Sequence, residues 1–235
     1  MEPRPFVFVN MAMTADGKID TVARQGARIS GPADTARVDR LRAGSDAIMV
    51  GARTLLSEDP RLTVRDPALV AGRQRAGRPD QPAKVGLVSH LAPGQLAVEG
   101  RFLREGGARV VVCTSKRTRT EVVDELRAVG AEVVVAGSER VDLTAALAAL
   151  SAMGIERLMV EGGSTLVAAL LEAGLVDELE LAVAPLLFGG EAAPTPVGGS
   201  GWARDAAIDL RLIESAVSTD GDVTLRYGIL ATGSP

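Results

Sequence analysis

The chain has 235 residues, 46% of them hydrophobic but only 3% aromatic, and a formal net charge of -4. That length suits a single α/β domain whose core is built from Val, Leu, Ile and Ala, the composition of a sheet buried beneath helices. The acidic balance supplies no general attraction for nucleic acid or an anionic membrane surface, and no run approaches the ~18 apolar residues of a membrane span. One cysteine, Cys113, excludes an internal disulfide and is expected in the core. One histidine, His90, leaves too few soft ligands for a zinc centre, so no metal site is expected. The start Met1-Glu2-Pro3-Arg4-Pro5 has the features of neither a signal peptide nor a transit peptide. A soluble, cytoplasmic protein is expected, with residues 1–235 as one domain.

Residues 6–13 are a continuous apolar run rich in β-formers and too short for a typical helix, which predicts a central strand. Asp16-Gly17 turns the chain out of it. Ser30-Gly31-Pro32 predicts a helix start with proline in the first turn, and that helix ends near Gly44. Residues 46–50 predict a buried strand, followed by Gly51 and a short helix. Residues 66–82 are rich in Pro, Gly, Arg and Gln without periodicity, and a loop of that length is usually functional or disordered. Strands are predicted at 84–89, 108–113 and 132–136. They are separated by 101–105 and by a helix carrying Val122, Val123, Leu126 and Val129.

A helix with Leu143, Ala146, Leu147 and Leu150 leads to a strand at 157–160. Beyond it, Leu166, Ala169, Leu170 and Ala173 fall at i, i+3, i+4 and i+7, the spacing of one buried helix face. This β-α alternation predicts a mostly parallel central sheet flanked by helices. Residues 178–184 alternate and then run apolar, and 185–204 are rich in glycine and proline. Residues 209–217 and 222–230 flank Thr219-Asp220-Gly221 as a hairpin, so the sheet is expected to end in an antiparallel edge.

Several candidate ligand positions fall at the carboxyl ends of predicted strands, where open α/β sheets bind ligands. The clearest is Glu161-Gly162-Gly163-Ser164-Thr165-Leu166, a strand running through paired glycines into a helix. Residues without a Cβ let a ligand approach the backbone, while the unpaired N–H groups and positive dipole end of the first helical turn favour phosphate. Ser164 and Thr165 add hydroxyl donors. A second junction is Gly51-Ala52-Arg53-Thr54, whose guanidinium suits a bidentate phosphate contact. Residues 10–18, with Asp16-Gly17, and Ser89-His90 are two further strand ends. Taken singly, the glycine pair reads sooner as a turn capped by Ser164, Asp16-Gly17 as a polar turn and His90 as a surface side chain, while Gly51 to Thr54 reads equally as a helix start with an exposed arginine.

Together, two such junctions could bind the two ends of a dinucleotide. No G-x-G-x-x-G follows the first strand, so this is not the usual Rossmann fingerprint. Arg53 in place of an acid would favour a 2′-phosphate, hence NADPH over NADH. Arg42, and Arg61-Leu62-Thr63-Val64-Arg65 after Glu58-Asp59-Pro60, would suit a phosphorylated substrate.

Val9-Asn10-Met11-Ala12-Met13-Thr14-Ala15-Asp16-Gly17-Lys18, Ile29-Ser30-Gly31-Pro32, Leu41-Arg42-Ala43, Val50-Gly51-Ala52-Arg53-Thr54-Leu55 and Glu58-Asp59-Pro60-Arg61-Leu62-Thr63 stand in one order along the chain. With Glu161-Gly162-Gly163-Ser164-Thr165-Leu166 and Ala184-Pro185-Leu186-Leu187-Phe188-Gly189-Gly190 they resemble the riboflavin-biosynthesis pyrimidine reductases over nearly the whole length. The resemblance implies a dihydrofolate-reductase-like fold. It implies NADPH-dependent reduction of the ribosyl group of a 5-amino-6-ribosylamino-pyrimidine 5′-phosphate to ribityl, in the 2,5-diamino or the deaminated form. The chain has neither the H-x-E nor the C-x-x-C of a zinc deaminase domain, so the likeness is to the stand-alone reductases.

The same resemblance implies cofactor contacts from Ala12, Thr54, Glu58 and the turn at 163–169, with Ser89 near the adenosine half. Arg53, Gly162, Gly163, Ser164, Thr165 and Leu166 are counted with them. Glu58 stands where many members have aspartate. Substrate contacts are implied for Arg42, Leu62, Arg65 and Glu161, and Asn10 is added at the first strand end. In the reaction that the resemblance implies, hydride would pass directly to an imine carbon at ribose C1′, so no covalent nucleophile is required and the protein is expected chiefly to align two reactants. Glu161 is expected to position the pyrimidine and Lys18 to assist at the ribose, with Asp16 a further candidate for the proton. A homodimer is implied, with 179–188 and the hairpin as a plausible interface, and so is a cis Gly162-Gly163 peptide. A reductase of the same fold acting on dihydrofolate or another pterin or pyrimidine, and a non-catalytic nucleotide-binding protein, remain alternatives.

Overall fold

In the computed structural model, which describes residues 3–230, short runs of Val, Ile and Ala become strands and the segments between them become helices. The order is β1 (Phe6–Thr14), α1 (Pro32–Ala43), β2 (Ala47–Gly51), a π-helical turn (Thr54–Glu58), α2 (Pro67–Arg75), β3 (Ala83–Leu87) and α3 (Arg101–Arg104). Then come β4 (Val110–Thr114), α4 (Thr120–Ala128), β5 (Glu132–Val135), α5 (Leu143–Ala152), β6 (Arg157–Val160), α6 (Ser164–Glu172), β7 (Glu178–Ala184), β8 (Leu210–Val217) and β9 (Val223–Ile229). The chain divides into two compact units. Among the described residues, one holds Asp39–Met159 with residues 3–6, and the other holds Val7–Val38 with residues 160–230. The boundary runs through α1.

In the first unit the strands follow the order β5-β4-β3-β2-β6, and β2–β3, β3–β4 and β4–β5 pair in parallel. Every residue of β2, β3 and β4 is buried, which is why these segments are nearly continuous apolar runs rather than alternating ones. Cys113 lies in β4 with its thiol pushed up to about 12 by burial. Lys84 breaks the apolar run of β3. Its ammonium is buried and donates to the carbonyls of Arg101, Phe102 and Glu105, capping the end of α3. Burial lowers its pKa, against the pull of Glu105 and Asp59.

In the second unit β1 and β7 run parallel, with Asn10 opposite Glu180 and Ala12 opposite Ala182. β9 pairs antiparallel with β7 and with β8, so the expected antiparallel hairpin closes this unit. The Val7 N–H donates to Asp177 at 2.7 Å. All eight residues of β8 are exposed. Among the described residues no helix is long and apolar enough to cross a membrane.

Two expectations are corrected. Residues 66–82 are not one long loop, because α2 occupies Pro67–Arg75. Asp66 caps it by accepting the Ala68 N–H at 2.8 Å, and Pro67 takes the first helical position, where its missing N–H costs nothing. In α6 the buried side chains are Leu166, Val167, Ala168, Leu170 and Leu171, while Ala173 is exposed. The larger Val167 and Leu171 take the inner face, since each removes more apolar surface from water than an alanine does.

Gly86, inside β3, marks a tight point. A Cβ there would lie 2.7 Å from Leu55 Cδ2 and 3.2 Å from Phe102 Cζ, and both of those side chains are fully buried. Gly86→Ala is therefore expected to destabilise the protein by about 1–3 kcal/mol through overpacking. Urea unfolding should show a lower midpoint with an unchanged slope; an unchanged midpoint would mean that the π-helical turn yields freely.

Candidate active site

In the first unit the cofactor candidates follow the ends of parallel strands. Arg53, exposed, and Thr54, half-buried, sit directly after β2 at the start of the π-helical turn. Glu58 ends that turn, exposed, and its carbonyl accepts from Arg101 Nη2. Ser89 lies two residues past β3. Its Oγ accepts the Val141 N–H at 3.1 Å, and its carbonyl accepts from Ser115 Oγ at 2.6 Å.

The substrate candidates of this unit share one short segment. Asp59 and Leu62 hold left-handed backbone, φ 44 and 49, which costs a non-glycine residue free energy and needs surrounding support. Asp59 is fixed by accepting the N–H groups of Arg101 and Phe102 at 2.7 and 2.8 Å. Leu62 is fixed by burial. Arg42 Nη1 donates to the Thr63 carbonyl at 3.0 Å, so one predicted substrate residue also supports the segment that carries two others. The buried Asp39 accepts the Arg65 N–H and, at 2.7 Å, the Asp66 N–H. The Arg65 side chain itself is 58% exposed, with Nε 3.8 Å from Asp39.

In the second unit β1 ends in a turn built around Thr14. The Thr14 N–H donates to the Lys18 carbonyl at 2.8 Å, and Thr14 Oγ1 accepts the Lys18 N–H at 2.9 Å. The same hydroxyl donates to Asp16 Oδ1, and the carboxylate also accepts the N–H groups of Phe188 and Gly189. Gly17, at φ 74, makes the turn possible. The Thr14 hydroxyl, opposed by desolvation and joined by the Gly189 and Phe188 amides, holds the Asp16 carboxyl below its ordinary 3.8. Asn10 is buried with Oδ1 accepting from Arg37 Nη2 at 2.7 Å, and Arg37 also donates to Asp34 and Glu180, each at 2.9 Å. Ala12 is half-buried further along β1.

Glu161, half-buried, follows β6, and the Gly162-Gly163 peptide is cis as the resemblance implied. Gly162 adopts φ 102, open only to glycine without strain. Gly163 is the N-cap of α6 with no side-chain acceptor; its carbonyl takes the N–H groups of Leu166 and Val167. The first turn of α6 thus presents amide donors beside a backbone that lacks Cβ atoms, an arrangement that fits a phosphate group of a dinucleotide. The Gly198 N–H donates to the Ser164 carbonyl at 3.1 Å, which ties the glycine-rich segment after β7 to that turn. Among the described residues no group of three His, Cys, Asp or Glu side chains could hold a metal ion.

Four residues that organise these segments were not among the predicted site residues: Arg37, Asp39, Asp59 and Gln81. Asp34 and Arg37, three apart on a helix, could have been read as a pair. The others act on backbone atoms distant in sequence, which leaves no periodic trace.

Residues 5–225 match the family model described as the RibD C-terminal domain. The 2,5-diamino-6-ribosylamino-4(3H)-pyrimidinone 5′-phosphate reductase of Methanothermobacter thermautotrophicus is 47% identical over 213 residues, 90% of this chain and 93% of that one. The protein of the same description from Archaeoglobus fulgidus is 43% identical over 206 residues, 88% of this chain and 92% of its own. Among solved structures, a pyrimidine reductase-like protein from Corynebacterium diphtheriae superposes with a TM-score of 0.79 at 23% identity, covering 97% of this chain and 92% of that chain; this likeness speaks to the fold.

The Asp16 contacts make a pH-dependent prediction. Its folded pKa is lowered, so its contribution is present above the unfolded value and is lost as pH falls through the folded one. Asp16→Ala is expected to lower Tm at neutral pH, with the gap to the parent narrowing below pH 3.8. Thermal melts across that range check it; a gap independent of pH would show that the charge contributes nothing.

Proposed function

The chain belongs to the RibD C-terminal domain family, and from that premise we propose that it is an NADPH-dependent oxidoreductase that reduces the ribosyl group of 2,5-diamino-6-ribosylamino-4(3H)-pyrimidinone 5′-phosphate to ribityl. The observation that carries this reading is the agreement with two reductases of that description over about nine-tenths of both partners. Because both relatives are described by the diamino compound, it is preferred here over the deaminated one.

The phosphate-fitting start of α6 supports a dinucleotide cofactor, held by Gly162, Gly163, Ser164, Thr165 and Leu166 together with Ala12, Thr54, Glu58 and Ser89. Arg53 supplies the charge for a 2′-phosphate. When bound, NADPH supplies hydride to C1′ of the opened ribosylamine. Asn10, Arg42, Leu62, Arg65 and Glu161 hold the substrate, with the arginines taking its phosphate by charge-assisted hydrogen bonds. Glu161 accepts hydrogen bonds from the pyrimidine and so fixes its orientation. The Lys18 ammonium assists at the ribose hydroxyls, and Asp16 keeps the turn that presents Lys18 in place. The 235 residues act in the cytoplasm as one reductase domain and assemble as a homodimer. The assembly reading is supported by β8, an edge strand on which Leu210, Leu212, Ile213 and Val217 are all exposed.

The reaction is tested by following loss of reduced-nicotinamide absorbance with the diamino and deaminated substrates in parallel, with NADPH and NADH. Turnover of the diamino compound with NADPH is expected, and Glu161→Gln should lower kcat/KM by roughly a hundredfold. Turnover of dihydrofolate alone would select the neighbouring reductase reading, and NADPH binding without turnover of any of them would select the non-catalytic one. Light scattering is expected to give twice the chain mass for the parent and the monomer mass for Leu212→Glu; a monomeric parent would rule out the β8 interface.

A further inference from the structure

Residues 63–66 belong to no strand or helix, yet their backbone polar groups are taken up one after another by side chains. Arg42 takes the Thr63 carbonyl, and Asp39 takes the Arg65 and Asp66 N–H groups. Between them, a single amide holds both backbone groups of Val64. The Val64 N–H donates to Gln81 Oε1 at 2.7 Å, and Gln81 Nε2 donates to the Val64 carbonyl at 3.0 Å. Gln81 thus behaves as a one-residue strand edge. It stands in Pro79-Asp80-Gln81-Pro82, immediately before β3, where the following proline restricts its backbone to extended conformations. The clamp is therefore held from a stiff point at the base of a buried strand.

The side chains along the clamped segment alternate. Leu62 and Val64 are buried at 2% and 4% exposure, whereas Arg65 points outward. With the Val64 side chain anchored and both of its peptide groups held, the direction in which Arg65 leaves the backbone is fixed. We propose that Gln81 is a positioning residue for the substrate's phosphate end, acting through Val64 to aim Arg65. This rests on the reading that Leu62 and Arg65 contact the substrate. Gln81 touches neither ligand in this role; it supplies one donor and one acceptor in the right order, which no charged side chain does at neutral pH.

That chemical requirement provides the test. Gln81→Met keeps the length and removes both hydrogen bonds, and is expected to raise the substrate KM roughly tenfold, leaving kcat and the NADPH KM within about twofold. Gln81→Glu keeps the acceptor but loses the donor while ionised, and regains both once protonated. Its substrate KM, taken as a ratio to the parent at each pH, should be raised near neutrality and fall towards one as pH drops to about 5, within reach of a carboxyl raised by partial burial. A ratio that does not change with pH, or a loss of kcat with KM unchanged, would overturn the proposal. Arg65→Met separates the two levels. If it leaves the substrate KM unchanged, the assignment of this segment to the substrate falls and the positioning role with it. If it raises KM while Gln81→Met does not, the segment binds substrate and Gln81 does not position it.

Discussion

Backbone that leaves a sheet must still satisfy its hydrogen-bonding groups, and this chain meets that constraint with aspartates that each accept two or more amides. In the first unit Asp39 takes Arg65 and Asp66, Asp59 takes Arg101 and Phe102, and Asp46 takes Glu156 and Arg157. In the second, Asp16 takes Phe188 and Gly189, and Asp20 takes Thr21, Gly26 and Ala27. A buried amide without an acceptor is costly, and a charged acceptor makes the stronger bond. The turn that carries Lys18 and the segment that carries Arg65 are held by this means rather than by a ladder.

The start of α6 follows a different rule. Gly163 offers no side-chain acceptor to the first turn. That absence is a weak signal alone, because α4 also starts on a residue without a side-chain cap. What sets α6 apart is the backbone before it. Gly162, at φ 102, and Gly163 put two residues without side chains directly before the amide end of the helix, so an anion can approach where an aspartate elsewhere would stand. The proposed ligand residues also divide their work. Arg42 gives one nitrogen to Thr63, and Asn10 gives its oxygen to Arg37, so substitutions at either position would disturb the frame as well as the contact.

The elements with clear periodicity were legible. Residues 157–160 and 178–184 form strands with the expected bounds, and the hairpin after 209 follows its turn signal. The helix at Pro67–Arg75 was hidden because Pro67 reads as a breaker until Asp66 is recognised as its cap, and its Arg and Gln residues show no apolar stripe. The face of α6 was misassigned because Leu166 and Leu170 fit two neighbouring stripes, and only packing chooses Val167 and Leu171 over Ala169 and Ala173. At the candidate site, glycines and arginines next to strands were legible because a local motif carries them. Gln81 and Asp39 were not, since each acts on a backbone group about seventeen or more residues away.

Cations close the other half of the same accounting. Where carbonyls converge at the end of a helix, this chain buries a positive charge among them. Lys84 meets three carbonyls at the end of α3, and Arg73 meets that of Ala43 at the end of α1 together with those of Ser45 and Pro79. Burial lowers the pKa of both. For arginine that still leaves the charged form dominant, and for lysine the charges of Glu105 and Asp59 oppose the loss. An apolar side chain of equal volume would fill the same space but take a donor away from three carbonyls in each place, and a buried group left unpaired costs more than the hydrogen bond contributes. Lys84 also caps the helix whose first amides hold Asp59, so the left-handed turn after Glu58 is supported through α3 from a charge buried inside β3.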